Sequence, residues 1–399
     1  MDLTTQTSAR FAERAELVPL ASGELCVEPV RSLADRDRFI EFQLEVYASD
    51  PNYVRPIIVE RRDFIDPKKN PLLSHAELEL FLARRAGTVV GRIAAVNDPT
   101  YNQFHNTETG FFGLFEAFDD AQVAGALFDA ASQWVRSKGM KQMMGPVNLS
   151  FNHDCGILID GFDYPQTMMM AYNPRYYPSL LEANGMSKAK DLWSFELSTS
   201  LAPPEKVVRV AERVREQDGV RVRPLNMKDL REEIRRLKSI YNAMLERSWG
   251  FVPMSEEEFD FFAARLRPLV QIRPELCLIA EVRNEPVAFS LTLPDCNVAL
   301  KPANGHLTTF GLPIGLAKMY WAARSIDRLR VLLFGIKPGY RRRGLDAILY
   351  LDTLRAARAL GYSWGEIGWA AEDNTLMIRA IEAMGARRYK TYRIYQRPV

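Results

Sequence analysis

The stretch Phe334-Gly335-Ile336-Lys337-Pro338-Gly339-Tyr340-Arg341-Arg342-Arg343-Gly344-Leu345-Asp346-Ala347 reads as a strand end, a basic turn and a helix start. The strand is the apolar run Val331–Ile336, and the helix continues through the amphipathic segment Asp346–Leu360. Successive backbone N–H groups at a helix start form an anion site, and the helix dipole favours negative charge there. Arginines beside such a turn grip phosphate through paired N–H bonds. Ile336, Lys337, Arg341, Arg342, Arg343, Gly344, Leu345, Asp346 and Ala347 are therefore expected to form a phosphate-binding unit. Asp346 is discordant, because a carboxylate there caps the helix but also repels phosphate.

The chain around this stretch is an internal repeat. Cys26-Val27-Glu28-Pro29, a helical pattern and Tyr53-Val54-Arg55-Pro56 recur as Val222-Arg223-Pro224, Asp229–Glu246 and Phe251-Val252-Pro253. Each is followed by a hairpin, with Gly87 and Asn284 at turns 197 residues apart. Further on, Gly113 pairs with Gly335 and Gly139 with Gly361, both at 222, so the second copy has gained 25 residues within Asp295–Arg330. Each copy orders as strand, helix, hairpin, strand, helix, strand, helix, strand. The expected fold is α/β (α+β) with two tandem domains, each a mixed β-sheet flanked by helices. They would cover residues 24–200 and 219–399, joined by a helix over 201–218. At the 222-residue offset Arg341, Arg342, Arg343 and Gly344 become Asp119, Asp120, Ala121 and Gln122, good helix caps and poor phosphate neighbours. Only the second copy is expected to bind phosphate.

Composition excludes several classes. Of 399 residues 47% are apolar and 26% charged, and the formal charge of +2 argues against a general nucleic-acid binder. Cys26, Cys155, Cys277 and Cys296 are scattered without metal-site spacing, as expected of reduced thiols in a cytosolic protein with no metal. The first 20 residues carry acids and bases throughout, and no apolar run approaches the roughly 20 residues of a membrane span. A cytoplasmic protein is expected, with peripheral contact with the inner membrane left open.

At the level of the loop the chain resembles the GNAT superfamily, whose pyrophosphate loop reads Q/R-x-x-G-x-G/A. Arg341, Gly344, Pro338 and Tyr340 match, whereas Asp346 stands where the family usually has Gly or Ala. Asn374, eleven residues before Gly385, fits a further family spacing, and Ile381 occupies the place of a frequent Tyr general acid. The resemblance implies acyl-coenzyme A as co-substrate, held by the loop and Asn374 in the C-terminal copy.

Acyl transfer to an amine needs the free base. A lysine-like amine of pKa about 10.4 is only roughly one part in 2,000 neutral at pH 7, so supplying it is worth roughly 4 kcal/mol. Glu366, alternating with Trp364 on a strand, is one candidate helper, set against a salt-bridged structural role. The other cluster is Asn148-Leu149-Ser150-Phe151-Asn152-His153-Asp154. If extended, it puts Asn148, Ser150, Asn152 and Asp154 on one face and His153 on the other. His75 and His153 are further candidates. In the insertion, Leu316, Met319, Tyr320, Ala323 and Ile326 form an apolar helical stripe, expected to line a lipid channel or pack as core.

Across the chain from about residue 26, the sequence is similar to the bacterial ceramide synthases, a family of tandem GNAT-like proteins. The likeness rests on Asn70-Pro71, His75-Ala76-Glu77, Gly91-Arg92-Ile93-Ala94-Ala95 and Gly110-Phe111-Phe112-Gly113. It extends through Gly145-Pro146, Asn148-Leu149-Ser150-Phe151-Asn152, Gly161-Phe162, Tyr172-Asn173-Pro174 and Tyr176-Tyr177. It implies transfer of a fatty acyl group from acyl-coenzyme A to the amine of a sphingoid base, 3-oxosphinganine. Asn148, Ser150, Asn152, Tyr172, Asn173 and Tyr320 would contact substrate, with Glu366, His153 and Asp154 catalytic. Acylation of a small polar amine and non-catalytic sensing of acyl-coenzyme A remain alternatives, the latter suggested by Asp346 and Ile381.

Overall fold

A computed structural model describes residues 23–217, 219–245, 248–308 and 311–399. The first 20 residues, residue 218 of the expected linker and Glu246 of the second helical pattern lie outside them.

The N-terminal half comprises β1 (Leu25–Pro29), α1 (Leu33–Val46), α2 (Ile58–Phe64), β2 (Glu77–Arg85), β3 (Thr88–Asn97), α3 (Pro99–His105), β4 (Thr109–Ala117), α4 (Ala121–Ser137), β5 (Gln142–Gly145), β6 (Ile157–Asp160), α5 (Tyr177–Ala183) and β7 (Ser187–Ser198). Helix α6 (Glu205–Arg215) links it to β8 (Val220–Pro224), α7 (Leu230–Leu245), α8 (Glu256–Ile272), β9 (Cys277–Val282) and β10 (Glu285–Pro294). The chain then forms α9 (Asn297–Leu300), α10 (Ile314–Ala322), β11 (Arg328–Ile336), α11 (Leu345–Ala359), β12 (Trp364–Ala371), α12 (Thr375–Ala383) and β13 (Arg387–Pro398).

The repeat survives in backbone detail. Ala86 and Gly87 turn the first hairpin at φ 49° and 78°, and Arg283 and Asn284 turn the second at 52° and 68°. Two left-handed residues in succession give the tight turn whose twist matches the strands, which Gly and Asn favour. Helix α4 buries Val123, Ala124, Leu127, Phe128, Ala131 and Val135 at helical spacing. Helix α11 buries Leu345, Ile348, Leu349 and Leu351, in a cluster shared with Ala211 and Val214 of α6. The 25-residue insertion forms α9, α10 and short 3₁₀ turns.

All the strands share one sheet, ordered β1-β2-β3-β4-β5-β13-β7-β12-β11-β10-β9-β8, with β6 on β13. The sheet does not divide at the expected boundary near residue 200. Strand β7 ends the first copy yet pairs with β12 of the second, while β13 ends the second copy yet pairs with β5 of the first. The cores follow the exchange. Phe195 and Leu197 of β7 pack with Tyr350, Leu354, Ile367 and Ile381 of the C-terminal half. Tyr392 and Ile394 of β13 pack with Phe111, Val147 and Leu158 of the N-terminal half. Ile381, at the expected general-acid position, is thus a core residue.

Candidate active site

Each half has a strand pair that runs parallel for a few residues and then separates: β4 with β5 over Thr109–Phe111, and β11 with β12 over Arg328–Val331. Beyond β11 the chain makes a 3₁₀ turn over Pro338–Tyr340 and enters α11 through Arg342 and Gly344, at φ 61° and 81°. Among the described residues no side chain caps the start of α11, so its first N–H groups are not taken by a cap. At the start of α4, by contrast, Asp120 accepts from the backbone N–H of Gln122 and Val123 and pairs with Arg85 at 2.6 Å. That helix start is thus occupied by its own carboxylate.

The basic cluster of the loop divides by role. Arg341 donates to the carbonyls of Met244 (2.7 Å) and Ile336 (3.3 Å), tying the loop to the end of α7. Lys337 pairs with Glu285 at 3.2 Å, and the Tyr340 hydroxyl donates to the same carboxylate at 2.7 Å. Arg342 and Arg343 are exposed and form no ion pair with the described residues. Leu345 and Ala347 are buried, so only their backbone could meet a ligand. Asp346 lies in the first turn of α11, and the Asn374 side chain accepts from the backbone N–H of Met377, capping α12.

Glu366 does not fit the expected proton acceptor. It is fully buried, with Arg330 at 2.5 Å, Ser194 at 3.4 Å and the Tyr389 hydroxyl donating to its second oxygen. Arg330 also donates to the Gly368 carbonyl at 3.1 Å. These partners come from β11, β7 and β13 while Glu366 itself lies on β12, so the carboxylate locks the exchanged strands together and presents no oxygen to a substrate.

The segment Asn148–Asp154 departs from the expected alternation. Leu149 is left-handed (φ 73°), and Asn148 N–H donates to the Asp154 carbonyl at 3.1 Å, closing a loop rather than a strand. Its side chains point to separate tasks. Asn148 accepts from Leu114 N–H at 2.8 Å. Ser150 accepts from Asn152 N–H, and Asn152 accepts from the Tyr241 hydroxyl at 2.8 Å and donates to the Val252 carbonyl. His153 lies edge-on to Phe64, and burial, helped by Arg265 and Arg61, pushes its pKa down to about 4. His75 lies 3.4 Å from Glu258 of α8, bridging the halves. Asn173 clamps Leu158 of β6 by accepting from its N–H and donating to its carbonyl. Tyr320 projects into solvent from α10.

The structure instead gathers residues around the gap between β4 and β5. Strand β4 bulges at Leu114 (φ 47°), and the Asn148 side chain holds the freed N–H. A cavity of about 110 Å³ opens there, lined by Tyr47, Tyr53, Arg92, Glu116, Asp154 and Tyr172 among others. Glu116 accepts from the hydroxyls of Tyr47 (2.9 Å) and Tyr177 (2.6 Å), and Arg92 lies 3.5 Å away. Arg92 is oriented by the Phe39 carbonyl at 2.6 Å and Gln43 at 3.3 Å, while its buried Nε has no partner among the described residues. Burial raises the pKa of Glu116, with Arg92 and the tyrosine hydroxyls pulling the other way. A carboxylate made more basic by burial, in a cavity, suits proton abstraction. Asp154 of the notable loop also reaches this cavity, 3.9 Å from Arg61, and Tyr172 donates to Asp50 at 2.8 Å.

Residue spacing alone missed this site, since Tyr47, Arg92, Glu116 and Tyr177 share no local motif. One signal was present. Arg92 and Glu116 interrupt the apolar runs of β3 and β4, and they are direct cross-strand partners. Among the described residues no helix is long and apolar enough to cross a membrane.

The fold is that of the tandem GNAT proteins. A solved tandem GNAT protein of the clavulanic acid biosynthesis pathway superposes with TM-score 0.53 over 94% of this chain and 98% of its own, at 14% identity. A fungal GCN5-related glucosamine N-acetyltransferase region gives 0.52 over 95% of this chain and 38% of the multidomain protein, at 12% identity. No family model matches the sequence. The bacterial ceramide synthase of Caulobacter vibrioides is 34% identical, over 94% of this chain and 98% of its own length. Protein YghO of Escherichia coli is 34% identical over 92% and 93%. The chain belongs to the bacterial ceramide synthase family.

Proposed function

We propose that the protein transfers a fatty acyl group from acyl-coenzyme A to the amine of a sphingoid base, 3-oxosphinganine, forming an oxidised ceramide. The observation that carries this reading is the end-to-end relationship to a bacterial ceramide synthase, 34% identical over 98% of that protein. In the reaction the neutral amine attacks the thioester carbonyl, the C–N bond forms, the C–S bond breaks, and the thiolate leaves. The amine proton goes to Glu116, whose raised pKa suits the task. The uncapped start of α11 with Arg342, Arg343 and the backbone at Gly344 holds the coenzyme diphosphate. The two places are bridged by α7: Arg341 grips its Met244 carbonyl, and its Tyr241 contacts Asn152 in the loop that carries Asn148 and Asp154 to the cavity.

Incubation of the protein with palmitoyl-coenzyme A and 3-oxosphinganine, read by mass spectrometry and by thiol release, tests the proposal. The expected result is N-acylated product with a preference for long over short acyl chains. Thiol release only with small polar amines, or coenzyme binding without turnover on any amine, would overturn it.

A further inference from the structure

The 25-residue insertion that distinguishes the two halves places an apolar surface on the outside of the protein. In the N-terminal half β3 leads through α3 straight to β4, whereas β10 and β11 are separated by α9 and α10. Of α10 only Gly315 is buried. It lies so close to the preceding segment that a Cβ there would fall 1.8 Å from the His306 carbonyl oxygen, and Leu316 N–H donates to the Leu307 carbonyl at 3.1 Å. The opposite side of the helix carries Leu316, Tyr320 and Trp321, which are 47%, 64% and 69% exposed, with Ile314 and Leu312 exposed beside them. Contiguous large apolar side chains facing water mark an interaction surface.

The part of the insertion that precedes α10 is tied to the N-terminal half. Gly305 accepts from Ile58 N–H at 3.3 Å, Lys301 donates to the Pro51 carbonyl at 2.5 Å, and Asn297 donates to the Gln166 carbonyl at 3.1 Å. Three bonds to the N-terminal half thus brace the insertion. Its charge is one-sided: from Cys296 to Ile326 there is no Asp or Glu, but there are Lys301, Lys318 and Arg324. The Arg324 guanidinium lies 4.5 Å from the Tyr320 ring and 4.8 Å from the Trp321 ring, joining cation to aromatics.

We infer that α10 is an interfacial membrane anchor that lays Leu316, Tyr320 and Trp321 into the headgroup boundary of an anionic bilayer. Trp and Tyr favour that boundary, leucine adds apolar burial, and Lys318 and Arg324 meet anionic headgroups. A second copy of the chain is a poorer occupant. In a two-fold contact this patch would set the cations against their own copies with no carboxylate in the segment to meet them. The inference rests on the reading of a lipid acceptor, because an enzyme whose amine resides in a bilayer must work at its surface.

Sedimentation of the full chain with phosphatidylcholine vesicles, with and without phosphatidylglycerol, tests it. Binding should require the anionic lipid and weaken with salt, and Leu316→Ser/Trp321→Ser should weaken it by about tenfold. Lys318→Gln/Arg324→Gln should remove the preference for anionic lipid. A reading independent of variant folding comes from bromolipid quenching of tryptophan in the wild type, which Trp321→Phe should abolish. Failure of the wild type to sediment, quenching that persists in Trp321→Phe, or a wild-type dimer that Leu316→Ser/Trp321→Ser makes monomeric would each overturn the anchor. Failure to bind vesicles alongside turnover of detergent-dispersed 3-oxosphinganine rejects the anchor alone. Vesicle binding without turnover supports the anchor and rejects the proposed reaction.

Discussion

Arg92 of β3 and Glu116 of β4 are direct cross-strand partners whose charged groups approach to 3.5 Å at the wall of a cavity. A lone buried carboxylate would stay protonated, and a lone buried guanidinium would be costly, so each permits the other. Burial outweighs the pairing and leaves Glu116 more basic than an ordinary carboxylate.

Glu116→Gln should therefore lower kcat by roughly 10²–10⁴-fold, the range of general bases, while keeping the hydrogen bonds from Tyr47 and Tyr177. The pH profile gives the sign. Activity needs the ionised form, so it should fall as pH drops through the raised pKa, above the usual carboxylate range near about 4.3. Steady-state kinetics across pH measure both. An unchanged kcat in the variant returns the cavity to a structural role.

Glu366→Gln should behave in the opposite way. It leaves Arg330 buried and without its carboxylate, which typically costs about 3–5 kcal/mol. Denaturant unfolding should report that loss, while turnover per folded molecule stays near wild type. A large fall in kcat at unchanged stability would restore Glu366 to catalysis.

The coenzyme loop is best tested at Arg342 and Arg343, since Gly344 is also a packing residue. A Cβ at Gly344 would lie 2.7 Å from Val210 and 2.8 Å from Val214, and the residue is left-handed, so Gly344→Glu would disturb α6 as well. Arg342→Glu/Arg343→Glu should weaken acyl-coenzyme A binding by about tenfold or more, since each charge-assisted contact is worth more than a neutral one. Gln122→Glu should leave binding unchanged, because Asp120 already closes that helix start. Titration calorimetry of both variants decides the assignment, and equal losses would defeat it.

His153 predicts an acid sensitivity of stability rather than of catalysis. Its pKa is depressed to about 4, so the folded state favours the neutral ring. The stabilisation is present above about pH 6.5, the unfolded value, and is lost as pH falls from there toward 4. Denaturant unfolding at several pH values should show the wild type losing stability over that window and His153→Leu losing less. Parallel curves would show that the ring does not titrate there.

Each half depends on the other for a strand. Polypeptides ending or beginning at residue 201, made separately, should fail to fold, because β7 fills the C-terminal core and β13 the N-terminal one. Co-expressed, they should form a cooperative one-to-one complex. Circular dichroism and size-exclusion chromatography read the outcome. A stable isolated half would show the exchange to be dispensable.

Legible in the residues alone, apart from α2, α3, α8, α9 and β6, were the repeat, its main order of strands and helices, the insertion and the contrast between the two helix starts. These are local matters: hairpin turns favour Gly or Asn at a left-handed position, helices bury residues at fixed spacing, and Asp120 caps its own helix. Whatever depended on residues far apart emerged with the folded chain. Strand exchange leaves no periodic trace, since β7 and β13 alternate alike whichever half they join. Glu366 read as a cleft residue until Arg330, Ser194 and Tyr389 closed around it. Tyr47, Arg92, Glu116 and Tyr177 meet only because α1, β3, β4 and α5 converge on one gap, and a pKa raised by burial belongs to that convergence rather than to any residue in the chain.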